Sequence, residues 1–547
     1  MKLTKSYISK QRVNKPQQLT GRWSIGEVSR YLSLLNDKIF SRHSPITIQR
    51  SKSRIYHKPC HLKMMKHPEL TDICRLKMDQ HSNRTQWKQW MASITATLSM
   101  TSVGTVYGWY TTSIGRLQSE GSPVPFTVDE GGWLLSLTVL GSMIGPFIGA
   151  AMADNIGRKK TLLISTLYFI IGWLMIIFGE NVPSYYISRL ILGVGVGVSY
   201  TTNPMYVSEV ADVNIRGALG TLIATNVFTG SLFACLVGPW VSTKVLTIIL
   251  LFIPLLFIVT FIWFPESPYY LAAKGRSEEA IKAISFLKGI DDRAEAKEEL
   301  DIILKNINDN IDTQNFKDKL SELRLPNNLR ALMIITGLIA AQQLSGSFIT
   351  ISYLETLFTD AQIALEPHVA TSIVLAVSLV SSGLSTSTVE KAGRRPLLFA
   401  STLGTTATLA ILATYILLEK KTAVDLSSVN WIPILDVIVF QIVYQVGLGT
   451  LTNALIGELF PTNVKAIAGA TITVTDGILG FAISKLYQVM GELLGVYVVY
   501  YFFAGSCFLA FFFVFAFVPE TKNKTFAEIQ TDLTESSFKC ARRRNKI

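Results

Sequence analysis

Charged side chains recur at matching points in the two halves of this 547-residue chain. In each half an acidic residue precedes Gly and Arg by three and four positions, within DNIGRKK from Asp154 and within EKAGRR from Glu390. A second acidic residue then precedes a basic one by seven positions, and each half closes on a Pro-Glu pair. Opposite charges placed in this way predict one ion-pair network in each half that forms and breaks as a gate; the alternative is that they only anchor helix ends. The repeated set comprises Asp154, Arg158, Glu209, Arg216 and Glu266 in the first half and Glu390, Arg394, Glu458, Lys465 and Glu520 in the second.

Asp476 is an acidic residue inside an apolar stretch. It lies about ten residues, or ~15 Å along a helix, from the charged end of that stretch. An ionisable group at such a depth in a membrane is functional by default. Three roles are open: Asp476 can accept hydroxyl groups, bind a proton or receive a cationic solute.

The elements that position these residues are predicted to be membrane helices. The chain is 49% hydrophobic and 16% charged, with a mean hydropathy of +0.35, which excludes an ordinary soluble protein. A spanning helix needs ~20 mainly apolar residues. Six such stretches precede a charged linker and six follow it, so we predict an all-α membrane protein with twelve transmembrane helices in two six-helix bundles. The predicted spans are 89–113, 131–153, 161–179, 185–208, 217–241, 245–264, 329–358, 369–388, 397–418, 432–458, 466–490 and 495–518.

The distribution of basic residues predicts the orientation. With both termini in the cytoplasm, 45 of the 51 lysines and arginines fall on that side, as the positive-inside bias requires. The net charge of +12 then faces an anionic inner leaflet and does not indicate a nucleic acid partner. The expected organisation is a disordered basic cytoplasmic arm (1–88), a first bundle (89–264), a cytoplasmic linker with short helices (265–328), a second bundle (329–518) and a cytoplasmic tail (519–547).

We expect no metal, no cofactor and no enzymatic activity. The arm contains a group of histidines and cysteines, but their spacing matches no zinc module. No nucleotide-binding loop and no nucleophile with a suitably spaced base is found. The histidines and cysteines of the arm are His57, Cys60, His61, His67 and Cys74.

Six motifs together carry a family resemblance. They are RLILGVGVGVSYTTNPMYVSEVADVNIRGALG (189–220), PESP (265–268), QQLSG (342–346), EKAGRR (390–395), GELFP (457–461) and PETK (519–522). Over about residues 90–525 the chain resembles the sugar porters of the major facilitator superfamily, and the stretch from Asp129 to Leu163 is similar to the branch of insect trehalose and hexose facilitators. The resemblance implies the major facilitator fold and the transport of a small-molecule sugar by alternating access across the plasma membrane.

The resemblance also implies a sugar site near the midplane, built from amides and aromatic rings. Gln342 and Gln343 match the paired glutamines of the family and are the strongest candidates for sugar contacts. Several other expected contacts are altered, because Phe348 replaces an asparagine, Ala224 replaces a glutamine and Gly477 replaces a tryptophan. Further candidates, at or beside altered positions, are Asn226, Ser378, Asn453 and Asp476.

The first predicted span, 89–113, contains no acidic residue, whereas the proton symporters of the family carry an aspartate there. Facilitated diffusion of a hexose or trehalose is therefore the expected mode. Two alternatives stay open. One is a proton-coupled sugar or polyol symporter that uses Asp476, and the other is a nutrient sensor that does not transport.

Overall fold

The computed structural model describes residues 86–119, 121–212, 215–310, 323–363, 365–422, 427–460 and 462–522, together with Ile529 and Leu533. The arm up to residue 85 and most of the tail, on which predictions were made above, lie outside the described residues. The side chains of Glu390, Asn453 and Lys465 also lie outside the description, although their backbones are helical.

The first half of the described chain is a succession of six long helices. They are α1 (Trp87–Leu117), α2 (Val128–Ile156), α3 (Arg158–Ile177), α4 (Val182–Val210), α5 (Arg216–Val237) and α6 (Thr243–Phe261). Local signals account for several of the boundaries. Thr127 and Glu130 form a capping box at the start of α2, and Asn181 caps α4 through the Ser184 backbone N–H.

Three short helices follow as a linker: α7 (Pro268–Ala273), α8 (Ser277–Lys288) and α9 (Arg293–Asn310). Their apolar faces form a small core of their own around Tyr270 and Ile284. Polar contacts attach α8 to the first half, because the Lys288 ammonium lies 3.5 Å from Asp212. The Gln89 side chain at the start of α1 donates to the same carboxylate at 2.9 Å.

The second half repeats the pattern with two interruptions. Its helices are α10 (Pro326–Leu344), α11 (Ser347–Ser352), α12 (Leu354–Asp360), α13 (Pro367–Ala392), α14 (Arg394–Lys421), α15 (Ile432–Tyr444), α16 (Thr450–Leu459), α17 (Thr462–Leu494) and α18 (Val496–Phe517). The span predicted at 329–358 breaks at Gly346, whose φ of 66° lies in the left-handed region. Between α15 and α16 a π-helical segment, Gln445–Gly449, carries the chain onward.

Side chains from neighbouring helices satisfy backbone groups in the π-helical segment. The Ser385 hydroxyl on α13 donates to the Gln445 carbonyl at 3.1 Å, and the Leu448 N–H donates to the Ser401 hydroxyl on α14 at 3.1 Å. The irregular turn is therefore held by packing and not by proline, which is a common way for such turns to persist inside membrane helices.

The prediction of an all-helical membrane protein with two bundles is confirmed, and each predicted span coincides with one helix or one broken helix. Within the described ranges, nine helices are long and apolar enough to cross a membrane. The three other predicted spans correspond to α1, α4 and α17. Each of these three carries polar side chains used by the site below, among them Asp476 on α17.

The two bundles meet through three sets of helices: α1 contacts α11 and α12, α2 contacts α17, and α5 contacts α13. The largest cluster of buried apolar side chains has members in both bundles, including Trp109 and Phe358. We call the end at which α2 meets α3 and α13 meets α14 the basic end, and the end at which α1 finishes and α17 meets α18 the far end.

Candidate functional site

Arg158 is the centre of a charge cluster at the basic end of the first bundle. Its guanidinium lies 3.0 Å from Glu209 and 3.7 Å from Asp154. The Ser267 hydroxyl donates to the other oxygen of Glu209. Arg158 is 14% exposed, so most of its charge is neutralised by protein and not by water. The cluster fastens the start of α3 to the end of α4 and to the linker.

Glu266 completes this cluster by capping a helix. The backbone N–H groups of Lys159 and of the adjacent Ser267 both donate to Glu266 Oε1 at 2.9 Å. A carboxylate at the N-terminus of α3 also meets the positive end of the helix dipole. Gly157 precedes the helix with a φ of 102°, and a Cβ there would lie 2.3 Å from Glu266 Oε2. Glycine is therefore needed at this position for both conformation and space.

Arg394 is the centre of the equivalent cluster in the second bundle. Its guanidinium donates to Glu458 Oε1 at 2.8 Å, and the Thr521 hydroxyl donates to Glu458 Oε2 at 2.5 Å. Arg158, Glu209 and Ser267 thus have direct counterparts in the second half. The counterpart of Ser267 is a threonine that directly follows the Pro-Glu pair.

Glu520 occupies the position equivalent to Glu266 and caps α14. Its carboxylate accepts the backbone N–H groups of Arg394 at 3.1 Å, Arg395 at 3.0 Å and Lys522 at 2.9 Å. Partial burial raises the pKa of Glu520, but the backbone N–H donors outweigh that effect and leave the pKa below its usual value. Glu520 therefore caps the helix as a carboxylate.

Lys159 and Arg395, each the second basic residue after the glycine of its motif, make equivalent contacts with a backbone carbonyl in the two halves. The Lys159 ammonium donates to the Ile262 carbonyl at 2.8 Å, and the Arg395 guanidinium donates to the Phe515 carbonyl at 2.6 Å. Both carbonyls lie at the C-terminal end of the last helix of their bundle, where a cation is favourable.

The other members of the repeated charge set are exposed or have side chains outside the description. Arg216 is exposed, and its guanidinium donates to the Ala211 carbonyl at 3.3 Å. Asp154 touches Arg158 but is 74% exposed. The Glu390 and Lys465 side chains are not described. None of the contacts described in the two clusters joins one bundle to the other; the clusters tie the helices of each bundle together and to the segment that follows that bundle.

We predict that Glu458→Gln lowers the thermal stability of the purified protein by about 1 to 3 kcal/mol, because it leaves the Arg394 guanidinium short of its partner charge. The matched control is Glu279→Gln, which breaks an ion pair with Arg276 whose two side chains are 47% and 52% exposed. That surface pair contributes ~1 kcal/mol or less. Unfolding in detergent, followed by tryptophan fluorescence, measures both; equal losses would show that the cluster is no stronger than a surface pair.

A second group of polar residues lies between the bundles. The Gln343 side-chain amide, near the end of α10, donates to Asp476 Oδ1 on α17 at 2.7 Å. Gln342 lies beside the Tyr444 hydroxyl of α15. These residues come from three helices of the second bundle, and sequence spacing alone could not place them together.

Aromatic residues surround this polar group. The hydroxyls of Tyr107 on α1 and Tyr200 on α4 lie within electrostatic range of the Asp476 carboxylate. The Phe348 ring packs edge-on against Tyr107, with ring centroids 5.5 Å apart. The second bundle therefore supplies the amide and carboxylate, while the first supplies an aromatic wall.

Packing against α2 explains why position 477 holds a glycine and not the tryptophan that the resemblance implies. A Cβ at this position would lie 2.2 Å from Met143 Cγ on α2. The Met143 side chain therefore occupies the space that a larger residue at 477 would need, and α2 approaches α17 closely beside Asp476.

The remaining candidates are engaged in packing or undescribed. The Asn226 amide is occupied by α1, accepting from Thr101 and donating to Thr97, both at 3.0 Å. Ser378 is fully buried, and its hydroxyl donates to the Val374 carbonyl of its own helix. The Asn453 side chain lies outside the description.

Sequence reasoning missed a polar contact between the bundles toward the far end. Asp129, at the start of α2, accepts from the Gln488 amide on α17 at 2.7 Å and lies 3.6 Å from the Lys485 ammonium. Lys485 also donates to Gln488 at 2.8 Å and lies over the Trp133 ring at 3.6 Å. We call Asp129, Trp133, Lys485 and Gln488 the latch. An isolated lysine in an apolar span was the signal in the sequence, but nothing there named its partner.

Tyrosines close the same end beside the latch. Tyr353 packs against Tyr110 of the first bundle and against Tyr487 of its own, with ring centroids 5.5 Å and 4.9 Å apart. The Ser136 and Ser484 hydroxyls are 3.2 Å apart across the interface. The polar group around Asp476 is therefore separated from the far end by contacts between the bundles.

We predict that Lys485→Met loosens the latch and shifts the population toward a state open at the far end. A cysteine introduced by Ser136→Cys should then react roughly fivefold to tenfold faster with a membrane-impermeant thiol reagent applied from that side. The five native cysteines are replaced by serine for this measurement.

The control for the latch is Lys420→Met, which breaks a 3.6 Å ion pair with Asp360 within the second bundle at the same end. This variant should leave the labelling rate unchanged. An unchanged rate in Lys485→Met as well would show that the latch does not hold the bundles together.

Comparison with known proteins covers nearly all of the described chain. A family model described as "Sugar (and other) transporter" matches residues 88–533. The chain is 29% identical over 452 residues to facilitated trehalose transporter Tret1 of Bombyx mori, covering 82% of this chain and 88% of that relative. It is 28% identical over 446 residues to Tret1 of Drosophila willistoni, covering 81% of this chain and 51% of the relative. The chain thus spans about half the length of the Drosophila relatives it matches.

Solved structures of the xylose transporter XylE from E. coli share the fold. The inward-open form superimposes with a TM-score of 0.68 at 20% identity, covering 81% of this chain and 99% of that chain. The XylE structure described as a proton:xylose symporter bound to 6-bromo-6-deoxy-D-glucose gives 0.65 at 20% identity, covering 81% and 98%. At this identity the likeness shows the fold alone.

Proposed function

The chain belongs to the sugar (and other) transporter family, and from that premise we propose that it moves a sugar across the membrane by alternating access. The observation that carries the proposal is the Gln342, Gln343 and Asp476 group, which lies between two internally fastened bundles. Amide and carboxylate groups bind hydroxyls with defined geometry, and aromatic rings cover the apolar face of a sugar ring.

The arrangement of contacts supports alternating access. The latch and the tyrosines join the bundles toward the far end, whereas the Arg158 and Arg394 clusters stay within their own bundles. The bundles can then rock as two bodies about the polar group between them. The substrate classes that the resemblance and the names of the Tret1 relatives favour are hexoses and trehalose.

We propose facilitated diffusion as the mode, and the surroundings of Arg189 support it. This buried arginine on α4 donates to the Val106 carbonyl at 3.0 Å and lies 4.2 Å from the Trp109 ring centroid. Helix α1 contains no acidic residue. Helix α1 thus offers Arg189 a carbonyl and an indole ring. Neither of these groups exchanges protons during transport. The symport alternative keeps one supporting observation, the carboxylate of Asp476.

We further propose that the protein resides in the plasma membrane with both termini in the cytoplasm and the basic end against an anionic inner leaflet. The concentration of lysine and arginine at that end supports this orientation. The far end, with the latch, then faces outward. The sensor alternative would have no use for a latch that opens.

The central test is uptake by the purified full chain in proteoliposomes, with glucose, trehalose and polyols as labelled solutes. Gln342→Ala should raise the half-saturation concentration by roughly 5- to 150-fold, because an unsatisfied buried polar contact is worth about 1 to 3 kcal/mol. Asn226→Ala is the contrast, since the Asn226 amide is occupied by α1.

The Asn226→Ala variant should lower thermal stability and leave the half-saturation concentration within about twofold. Uptake that exceeds the outside concentration only under an inward proton gradient would replace facilitated diffusion by symport. Binding of a sugar with no uptake of any solute would favour the sensor.

The orientation predicts that a peptide tag fused after Ile547 is inaccessible to antibody in intact cells and accessible once the plasma membrane is permeabilised. A tag inserted after Gly121, in the loop between α1 and α2, should show the opposite behaviour. Labelling of the Ile547 tag in intact cells would overturn the orientation.

A further inference from the structure

The Asp476 carboxylate has an unusual electrostatic environment. Its one described hydrogen bond comes from the Gln343 amide, which occupies Oδ1. Across the described ranges, no lysine or arginine forms an ion pair with it or acts on it electrostatically. The side chain is partly exposed, and its Oδ2 accepts no described hydrogen bond, so this oxygen is left for another partner.

A lone carboxylate at this depth is not needed for binding a neutral sugar. Hydroxyl groups are also bound well by neutral amides, which Gln342 and Gln343 supply. An ionised carboxylate in a space of low dielectric is unfavourable unless an opposite charge meets it. The clusters at the basic end show one solution, in which the carboxylates of Glu209 and Glu458 are each matched by an arginine and that of Glu520 by several N–H donors.

The walls around Asp476 suit a cation. Tyr107 and Tyr200 of the first bundle and Tyr444 of the second all lie within electrostatic range of the carboxylate. Tyr200 is 42% exposed, although it lies within electrostatic range of Asp476. A carboxylate with aromatic rings on several sides is a recognised arrangement for binding an ammonium group.

We propose that the solute carries a protonated amine, and that Asp476 is its counter-ion in a site for amino sugars. The ammonium group meets Asp476 Oδ2 and the tyrosine rings, while Gln342 and Gln343 bind the ring hydroxyls. Bound solute and site are then neutral together, so the loaded protein carries no unpaired charge as the bundles rock. This proposal rests on the proposed function, because it names the substrate class of the same site.

The test compares glucose with glucosamine, which differ by one ammonium group in place of one hydroxyl. Binding and uptake of each are measured on the full chain in proteoliposomes at a pH where the amine is protonated. The wild-type protein should bind glucosamine about 10- to 100-fold more tightly than glucose, the range expected when the donor in a hydrogen bond to a carboxylate changes from neutral to charged.

Two variants separate the charge of Asp476 from its shape. Asp476→Asn keeps the shape and should abolish the preference for glucosamine, so that the ratio of the two affinities falls to about one. Asp476→Glu keeps the charge and should retain a preference of about threefold or more. Asp360→Asn is the control, because it also exchanges a carboxylate for an amide but lies at the far end beside Lys420; it should change neither affinity.

The outcomes distinguish the two proposals. Equal binding of the two sugars by the wild-type protein, or a glucosamine preference that survives in Asp476→Asn, overturns the counter-ion proposal and leaves sugar transport standing. Failure of the folded wild-type protein to bind or move glucosamine, glucose, trehalose or any of the polyols overturns both. Glucose uptake that concentrates solute under an inward proton gradient, and loses this ability in Asp476→Asn, would assign Asp476 to a proton and also overturn the counter-ion proposal.

Discussion

The requirement that a buried charge be paired governs the basic end of this structure. Arg158 with Glu209 and Arg394 with Glu458 meet it in the same way, and a hydroxyl from Ser267 or Thr521 satisfies the remaining carboxylate oxygen. These contacts join helix ends that are far apart in sequence. Each bundle consequently behaves as one body, and the freedom that remains lies in the interface between the two.

The two bundles contribute different groups to the site at that interface. Gln343 and Asp476 belong to the second bundle and hold each other, so their hydrogen bond survives any rocking of the first bundle. Tyr107 and Tyr200 belong to the first bundle and move with it. A solute held by the polar pair would sense the position of the first bundle through its aromatic rings, which couples the presence of solute to the relative position of the bundles.

The duplicated charges made the fold and both clusters accessible from the sequence, because equal spacing in two halves implies equal geometry. The same spacing was a poor guide to individual contacts. Arg216 follows Glu209 by seven residues, but it lies exposed and bonds to a backbone carbonyl, since the chain leaves α4 between the two. Ser267 and Thr521, one residue beyond each Pro-Glu pair, carry a contact that the motifs FPESP and VPETK contained unnoticed. The Gln343–Asp476 pair and the latch join residues more than a hundred positions apart, and no local rule relates such positions.

The π-helical segment at Gln445–Gly449 has a consequence for the residues that follow it. A π turn holds about one residue more than an α turn, and each residue of an α-helix advances the direction of its side chains by ~100°. The side chains of α16, which follows the segment and contains Glu458, are therefore rotated about the helix axis relative to an unbroken helix. The pairing of Glu458 with Arg394 thus depends on a single surplus residue roughly three turns earlier. A one-residue deletion in this segment would leave composition and hydropathy almost unchanged, yet it would point the carboxylate away from its arginine.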